Sequence, residues 1–182
     1  LAYELACQGR SVRLLERGAV GKEASWAGAG ILPPPATRSD LPAWKQLQSL
    51  SFQLHESLHV RLEAETGIDN GYKRCGGIHL ARRAGESAAL RADMAELAAD
   101  GVNVQKLDAL KQLNDLEPEI AFGGESGEIT AAFLLPDESQ IRNPRHLQAL
   151  ELACRRRNVE IVEGANITGI EHQADRIASV ST

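Results

Sequence analysis

The chain predicts an α/β fold in which a sheet is interrupted by an inserted α+β segment. Three observations carry that expectation. An apolar strand pattern, Val12 to Leu15, follows a helical pattern over residues 1–9 and ends on an acidic residue, Glu16. A second helix-then-strand pattern runs from Asn143 through "VEIVEG" near the other end. Between the two, strands and helices come in mixed order, as in a second body set into the first.

Composition narrows the function classes. Of 182 residues, 43% are hydrophobic and 25% charged, within the ordinary globular range. A net charge of −5 argues against general nucleic-acid or membrane-surface binding. No apolar run approaches the roughly 18 residues of a membrane-spanning helix, and no basic-then-apolar leader is read in the chain. Cys7, Cys75 and Cys154 are far apart and form no CxxC pair. Such a sparse, odd set suits reduced thiols and a cytoplasmic location. Both ends read as interrupted elements, "LAYELACQGR" inside a helix and "RIASVST" inside a strand, so a piece of a longer protein is expected.

Each element has its own signal. Residues 1–9 read as a helix end, with Leu1, Ala2 and Leu5 on one face and Gly9 as its C-terminal cap. Val12 to Leu15 is short and apolar, as expected of a strand covered on both faces. A small-residue stretch, Ala24 to Gly30, comes next, and Pro33-Pro34-Pro35 marks a loop. The longest helix is expected from Pro42 to Thr66, capped by Ser39 or Asp40 and ended by Gly67. Leu47, Leu50, Leu54, Leu58 and Leu62 form its expected buried stripe. "GGIHLAR" reads as a strand. A helix over residues 87–100 turns Leu90, Met94 and Leu97 inward, with Gly101 after it. "DALKQLNDLEPEI" is a shorter helical turn stopped by Pro118, and "EITAAFLLP" a strand. Asn143-Pro144 opens a helix to about Arg157 with Leu147, Leu150 and Cys154 on its apolar face. "VEIVEG" and "NITGIEH" are strands, and "DRIASVS" folds back as a hairpin partner.

Glu16 suggests the chemistry. In a dinucleotide-binding βαβ unit, a glycine-rich turn holds the pyrophosphate, and an acidic residue about 20 positions later takes the ribose hydroxyls. Counting back from Glu16 puts that turn just before Leu1, so the glycines are not in this chain. In "EASWAGAGIL", Ser25 stands among residues with little or no Cβ bulk. Backbone N–H groups there can approach a flat ring or a phosphate closely, although tight helix–sheet packing also selects Ala and Gly.

A rival motif lies at residues 55–59, His-Glu-Ser-Leu-His. His55 and His59 at i and i+4 on a helix can bind zinc, with Glu56 as the base and His79 about 20 residues on. Both histidines follow a stripe leucine, about 100° off the expected buried face, where solvated histidines are common. Arg155, Arg156 and Arg157 fit the last turn of a helix, where cations complement the dipole. Cys75, beside Gly76-Gly77, reads as an idle or packed cysteine.

"LAYELACQGRSVRLLERGAVGKEASWAGAGIL" resembles the start of the D-amino-acid oxidase family of FAD-dependent amine oxidases, just after its GxGxxG. Within that family it is most similar to the glycine oxidases of thiamine biosynthesis. "ETGIDNGYKRCGGIHLA" is similar to the entry to the family's substrate domain, and "LPDESQIRNPRHLQALELACRRRNVEIVEGANITGI" to the return to the FAD domain. The resemblance implies a Rossmann-like FAD-binding domain in two pieces, 1–70 and 137–182, with part of a substrate domain over 71–136. It implies that Glu16 binds the adenosine ribose with Arg17 beside it. Ala24 and Ser25 would meet the pyrophosphate and ribityl region, and Ala29, Gly30 and Ile31 the isoalloxazine ring. Ile167, in the strand "ANITGI", would contact the adenine through its backbone.

The implied reaction moves a hydride from the α-carbon of a small amino acid or amine, such as glycine or sarcosine, to FAD. The imine hydrolyses, O₂ accepts the electrons, and H₂O₂ forms. No acid–base residue is named, because hydride transfer from a neutral amine needs orientation above all. The family's carboxylate-binding arginine belongs to a half not present here, so the chain alone is expected to be inactive. The full-length protein is expected to be a homo-oligomer. Alternatives are a D-amino-acid dehydrogenase passing electrons to a quinone, a non-catalytic flavin-fold module, and a zinc peptidase built on HESLH.

Overall fold

The computed structural model describes residues 1–107, 110–121 and 129–182. Helix α1, Ala2–Cys7, ends at Gly9, whose φ of +74° is the left-handed conformation that closes helices. Strand β1, Arg13–Leu15, follows, then a four-residue helix α2, Ala24–Ala27, and β2, Ile31–Leu32. The long helix α3 covers Ala43–Thr66 and stops at Gly67, φ +75°. Strands β3, Lys73–Arg74, and β4, Gly77–Ala81, precede helix α4, Ala84–Ala99. Glu86 anchors the start of α4 by accepting the backbone N–H groups of Arg82 and Arg83 at 3.3 and 3.2 Å. These backbone donors hold its carboxyl pKa below the ordinary value.

Strand β5, Gln105–Lys106, leads to helices α5, Leu110–Leu116, and α6, Pro118–Ala121. Strands β6, Ala131–Leu135, and β7, Ser139–Gln140, are followed by helix α7, Asn143–Arg156, with Pro144 in its first turn. Strands β8, Glu160–Val162, β9, Gly169–Gln173, and β10, Arg176–Ser181, complete the order.

These elements form two compact units. Residues 1–30, 58–71 and 141–182 make the first, and residues 31–57 and 72–140 the second. In the first, β1 and β8 pair in parallel, Arg13 opposite Glu160 and Leu15 opposite Val162. The buried core combines Tyr3, Leu62, Ala149, Ala153, Cys154 and Val159. Ala149 and Ala153 lie on one face of α7 and let its backbone approach its neighbours closely. The Tyr3 hydroxyl donates to Glu65 Oε1 at 2.8 Å, and Arg157 pairs with the same carboxylate. Burial and that acceptor push the Tyr3 phenol well above its ordinary range. The β9–β10 hairpin turns at Ala174, φ +51°.

In the second unit, β4, β6 and β5 form an antiparallel sheet with β6 central, and α4 packs on it. Its core holds Ala81, Met94, Val102, Ala131, Phe133 and Leu135. A smaller antiparallel sheet runs in the order β2-β7-β3. Strand β2 pairs with β7, and Lys45 of α3 pairs with Asp100, both within the second unit.

Several expectations about packing need correction. Tyr3, and not Leu1, is the buried residue of α1; Leu1 is 96% exposed. In α3, Leu58 and Leu62 pack into the first core, but Leu47, Leu50 and Leu54 are 66%, 54% and 54% exposed. The buried residue of the first part of that helix is Phe52. Helix α4 begins three residues earlier than expected, because Glu86 supplies acceptors there. Pro118 opens a second short helix as well as ending the previous turn. Ala165 to Thr168 lies outside any strand, so "ANITGI" contributes only its last two residues to β9. Asp108, Ala109 and Glu128, at the edges of expected elements, fall outside the described residues.

Candidate cofactor site

The carboxyl ends of the parallel pair come first, since ligands of open α/β sheets bind beyond strand carboxyl ends. Glu16 is the residue just after β1. Its N–H donates to Val162 O at 2.9 Å, and its carbonyl accepts Ala165 N–H at 2.9 Å. The strand end of β1 is thus laced to the segment leaving β8. The Glu16 carboxylate accepts Gly18 N–H through Oε1 at 2.7 Å, and Glu163 Oε1 accepts Val20 N–H at 2.7 Å. Two carboxylates therefore shape the loop after β1. An ionised carboxylate has about four lone-pair sites, so Glu16 keeps capacity for a vicinal diol. Arg17, beside it, is exposed, and Ile167 is 47% exposed two residues beyond Ala165.

The small-residue stretch divides into two kinds of position. Gly28 and Gly30 serve the internal packing. Gly30 is buried with φ +78°, its carbonyl accepts Ile141 N–H at 2.8 Å, and a Cβ there would overlap the Ile141 carbonyl. The space a Cβ would need at Gly28 is taken by the Asn143 side-chain amide. Ala24, Ser25 and Ala29, by contrast, are exposed. Tight packing thus accounts for these two glycines, while the alanines and Ser25 present a low, accessible surface. Ile31, the next position in the chain, is 61% exposed and belongs to the second unit.

Ser25 comes to the first turns of α7. Together with Asn143, His146, Leu147 and Leu150 it lines a cavity of about 340 Å³. Gly21, φ +67°, guides the chain there, with the Leu147 side chain against it. Behind the cavity lies Asn70, 1% exposed. Its Nδ2 donates to His146 Nδ1 at 3.1 Å, and its Oδ1 accepts from His59 Nδ1 at 2.8 Å. From sequence, Asn70 and His146 carried no site role, and Asn143 stood only as the start of a helix. "IDNG" and "RNPRH" carry ordinary turn and helix-start signals, and only the fold brings them together.

The HESLH histidines are more enclosed than a solvated flank. His59 is committed to Asn70, with Nε2 3.7 Å from Glu63 Oε2. His55 is half-buried, and desolvation lowers its pKa. His79 contacts Glu138 Oε2 at 3.1 Å. Among the described residues, no group of three His, Cys, Asp or Glu side chains is arranged to hold a metal ion.

The sequence profile of the family described as FAD dependent oxidoreductase matches residues 1–182. The chain belongs to that family. Glycine oxidase of Pseudomonas aeruginosa is 29% identical over 182 residues, which is 100% of this chain and 47% of that protein. 4-Methylaminobutanoate oxidase (formaldehyde-forming) of Paenarthrobacter nicotinovorans is 28% identical over 184 residues, covering 100% of this chain and 21% of that protein. Among solved structures, glycine oxidase from Geobacillus kaustophilus superposes with a TM-score of 0.77 at 27% identity, over 93% of this chain and 44% of that one. The chain spans about half the length, or less, of the relatives it matches.

The cofactor of this family, FAD, suits the donor set. Glu16 stands at the carboxyl end of β1 where a ribose diol would need an acceptor. The cavity at Ser25 is lined by a hydroxyl, an amide, an imidazole and two leucines, and among the described residues no carboxylate lines it. The first turn of α7 adds the positive end of a helix dipole.

Proposed function

We propose that this chain is the FAD-cradling part of an amine oxidase acting on glycine or another small amino acid, such as sarcosine. The observation that carries the reading is Glu16 at the end of β1, laced to the segment leaving β8 and followed by the exposed Ala24, Ser25 and Ala29. The glycine oxidase relatives support the substrate class. In this reading Glu16 accepts from the ribose hydroxyls, with Arg17 beside it and the Ile167 backbone against the adenine. Ala24 and Ser25 border the pyrophosphate and ribityl chain, and Ala29, Gly30 and Ile31 run along the isoalloxazine.

Bound FAD supplies the two-electron acceptor that turns the amine into an imine. The chain's own residues hold and orient that acceptor, and the small side chains let it lie close to the backbone. O₂ is the proposed final acceptor, giving H₂O₂, and the oxidised glycine would serve thiazole formation in thiamine biosynthesis. We further propose a cytoplasmic homo-oligomer for the full-length protein.

The test uses the full-length protein. Anaerobic glycine or sarcosine should bleach the flavin absorbance, and air should restore it with one H₂O₂ per turnover. Bleaching that only an added quinone reverses would favour the dehydrogenase. A bound flavin that no amino acid reduces would favour a non-catalytic module. Residues 1–182 alone are expected to give no H₂O₂ from glycine above a no-protein blank.

A further inference from the structure

Between the first part of α3 and the end of α4 lies a cleft of about 350 Å³, wholly within the second unit and using no residue of the FAD reading. Its charged lining comes from both helices. Lys45 is on α3, while Asp93 and Glu96 are on α4 and Asp100 caps its end. The spacing i, i+3, i+7 keeps the three carboxylates on one face. Lys45 Nζ donates to Glu96 Oε1 at 2.8 Å and to Asp100 Oδ2 at 2.5 Å, and it stands 5.4 Å from the centre of the Trp44 ring. One ammonium against three carboxylates leaves two negative charges. Asp93 enters no hydrogen bond or ion pair among the described residues. Arg38, which reaches the Ala99 carbonyl at 3.2 Å, is committed to Asp40 through Nε at 2.8 Å. Much of the remaining lining is apolar: Pro33, Pro34, Leu97 and Val102, with Trp44 62% exposed. The walls are held without a ligand. Ser49 Oγ accepts Ala36 N–H at 3.0 Å and donates to the Lys45 carbonyl at 3.1 Å, and the Asp100 carbonyl accepts Thr37 and Arg38 N–H at 3.2 and 3.3 Å.

We propose that this cleft binds a small organic ammonium ion with an apolar body. The carboxylates accept from its N–H donors, the indole face attracts its charge, and the prolines and aliphatic side chains cover its hydrocarbon part. Two unbalanced negative charges repel an anion. A bare metal ion gains nothing from the apolar lining, and no group of three His, Cys, Asp or Glu side chains among the described residues is arranged to hold one.

The experiment titrates the full-length protein, labelled with fluorotryptophan, with hexylammonium chloride and follows it by fluorine NMR. The Trp44 signal is the one that Trp44→Phe removes. It should move saturably with hexylammonium and respond about tenfold more weakly to hexanol, which has the same body without the charge. Asp93→Asn and Glu96→Gln should each weaken hexylammonium about fivefold. Both carboxylates are exposed, so the melting temperature should hardly change. Added salt should weaken hexylammonium and spare hexanol. That comparison needs no variant and decides the matter should a substitution prevent folding. A Trp44 signal that stays still, equal binding of hexanol, or full affinity in both carboxylate variants overturns the proposal. So does displacement of hexylammonium by glycine, which would put the amine in the substrate site.

Discussion

The two parts of α3 carry the same leucine spacing and end in opposite environments. Leu58 and Leu62 enter the first unit's core, where Leu62 is fully buried against a group that includes Tyr3 and Ala149. Leu47, Leu50 and Leu54, on the same expected stripe, stand in solvent. Periodicity identifies a face of a helix, but the partner that covers it comes from distant chain. A second contrast runs through the glycines: Gly30 and Gly67 share a positive φ, yet Gly30 presses on Ile141 while a Cβ at Gly67 would meet open space.

The largest expected effect tests the first contrast. Leu62→Ala should destabilise the 182-residue chain by about 3 kcal/mol in urea unfolding, through lost burial plus a cavity. Leu50→Ala should stay within about 0.5 kcal/mol, as an exposed substitution does. A large Leu50→Ala effect confined to the full-length protein would show that the stripe is covered there.

Next comes the glycine pair. Gly30→Ala should cost about 2 kcal/mol or more, combining a left-handed backbone with steric overlap. Gly67→Ala should cost about 1 kcal/mol from the backbone alone. Equal losses would mean that the Ile141 carbonyl moves aside easily. A smaller effect is expected on binding: Glu16→Ala in the full-length protein should weaken FAD about tenfold, a loss of ~1.4 kcal/mol, with little change in melting temperature. If melting falls as far as affinity, Glu16 serves the loop at Gly18 more than the ribose.

The smallest effect concerns pH. The Arg157 guanidinium, and then the Tyr3 hydroxyl, hold the Glu65 carboxyl below its ordinary value. A depressed folded-state pKa stabilises fully above the unfolded value of about 4.3 and loses that contribution as pH falls through the folded one. Glu65→Gln should therefore flatten part of the acid limb of a stability–pH curve below about pH 4.3 and lower stability only slightly at neutral pH. An unchanged acid limb would leave the pair with no energetic role. The pair is partly solvated, which keeps this change below the others.

Local signals determined much by themselves. Gly9, Gly67 and Gly101 mark helix ends because each follows a helix and adopts a left-handed φ. Asn143-Pro144 opens α7, and "DRIASVS" returns on β9, for reasons of backbone chemistry that need no distant partner. The family was legible because Glu16 and the Ala/Gly stretch stand in a characteristic order. Other features depended on residues far apart in sequence. The parallel pairing of β1 with β8 joins residues 147 positions apart, and the amide of Asn70 meets His146 across 76. Gly28 and Gly30 look like their alanine neighbours in the sequence, yet only the approach of residues 141–143 gives those glycines a packing role. Burial and hydrogen bonding across such distances are properties of the packed chain, so the tertiary structure alone separated the covered leucines of α3 from the exposed ones.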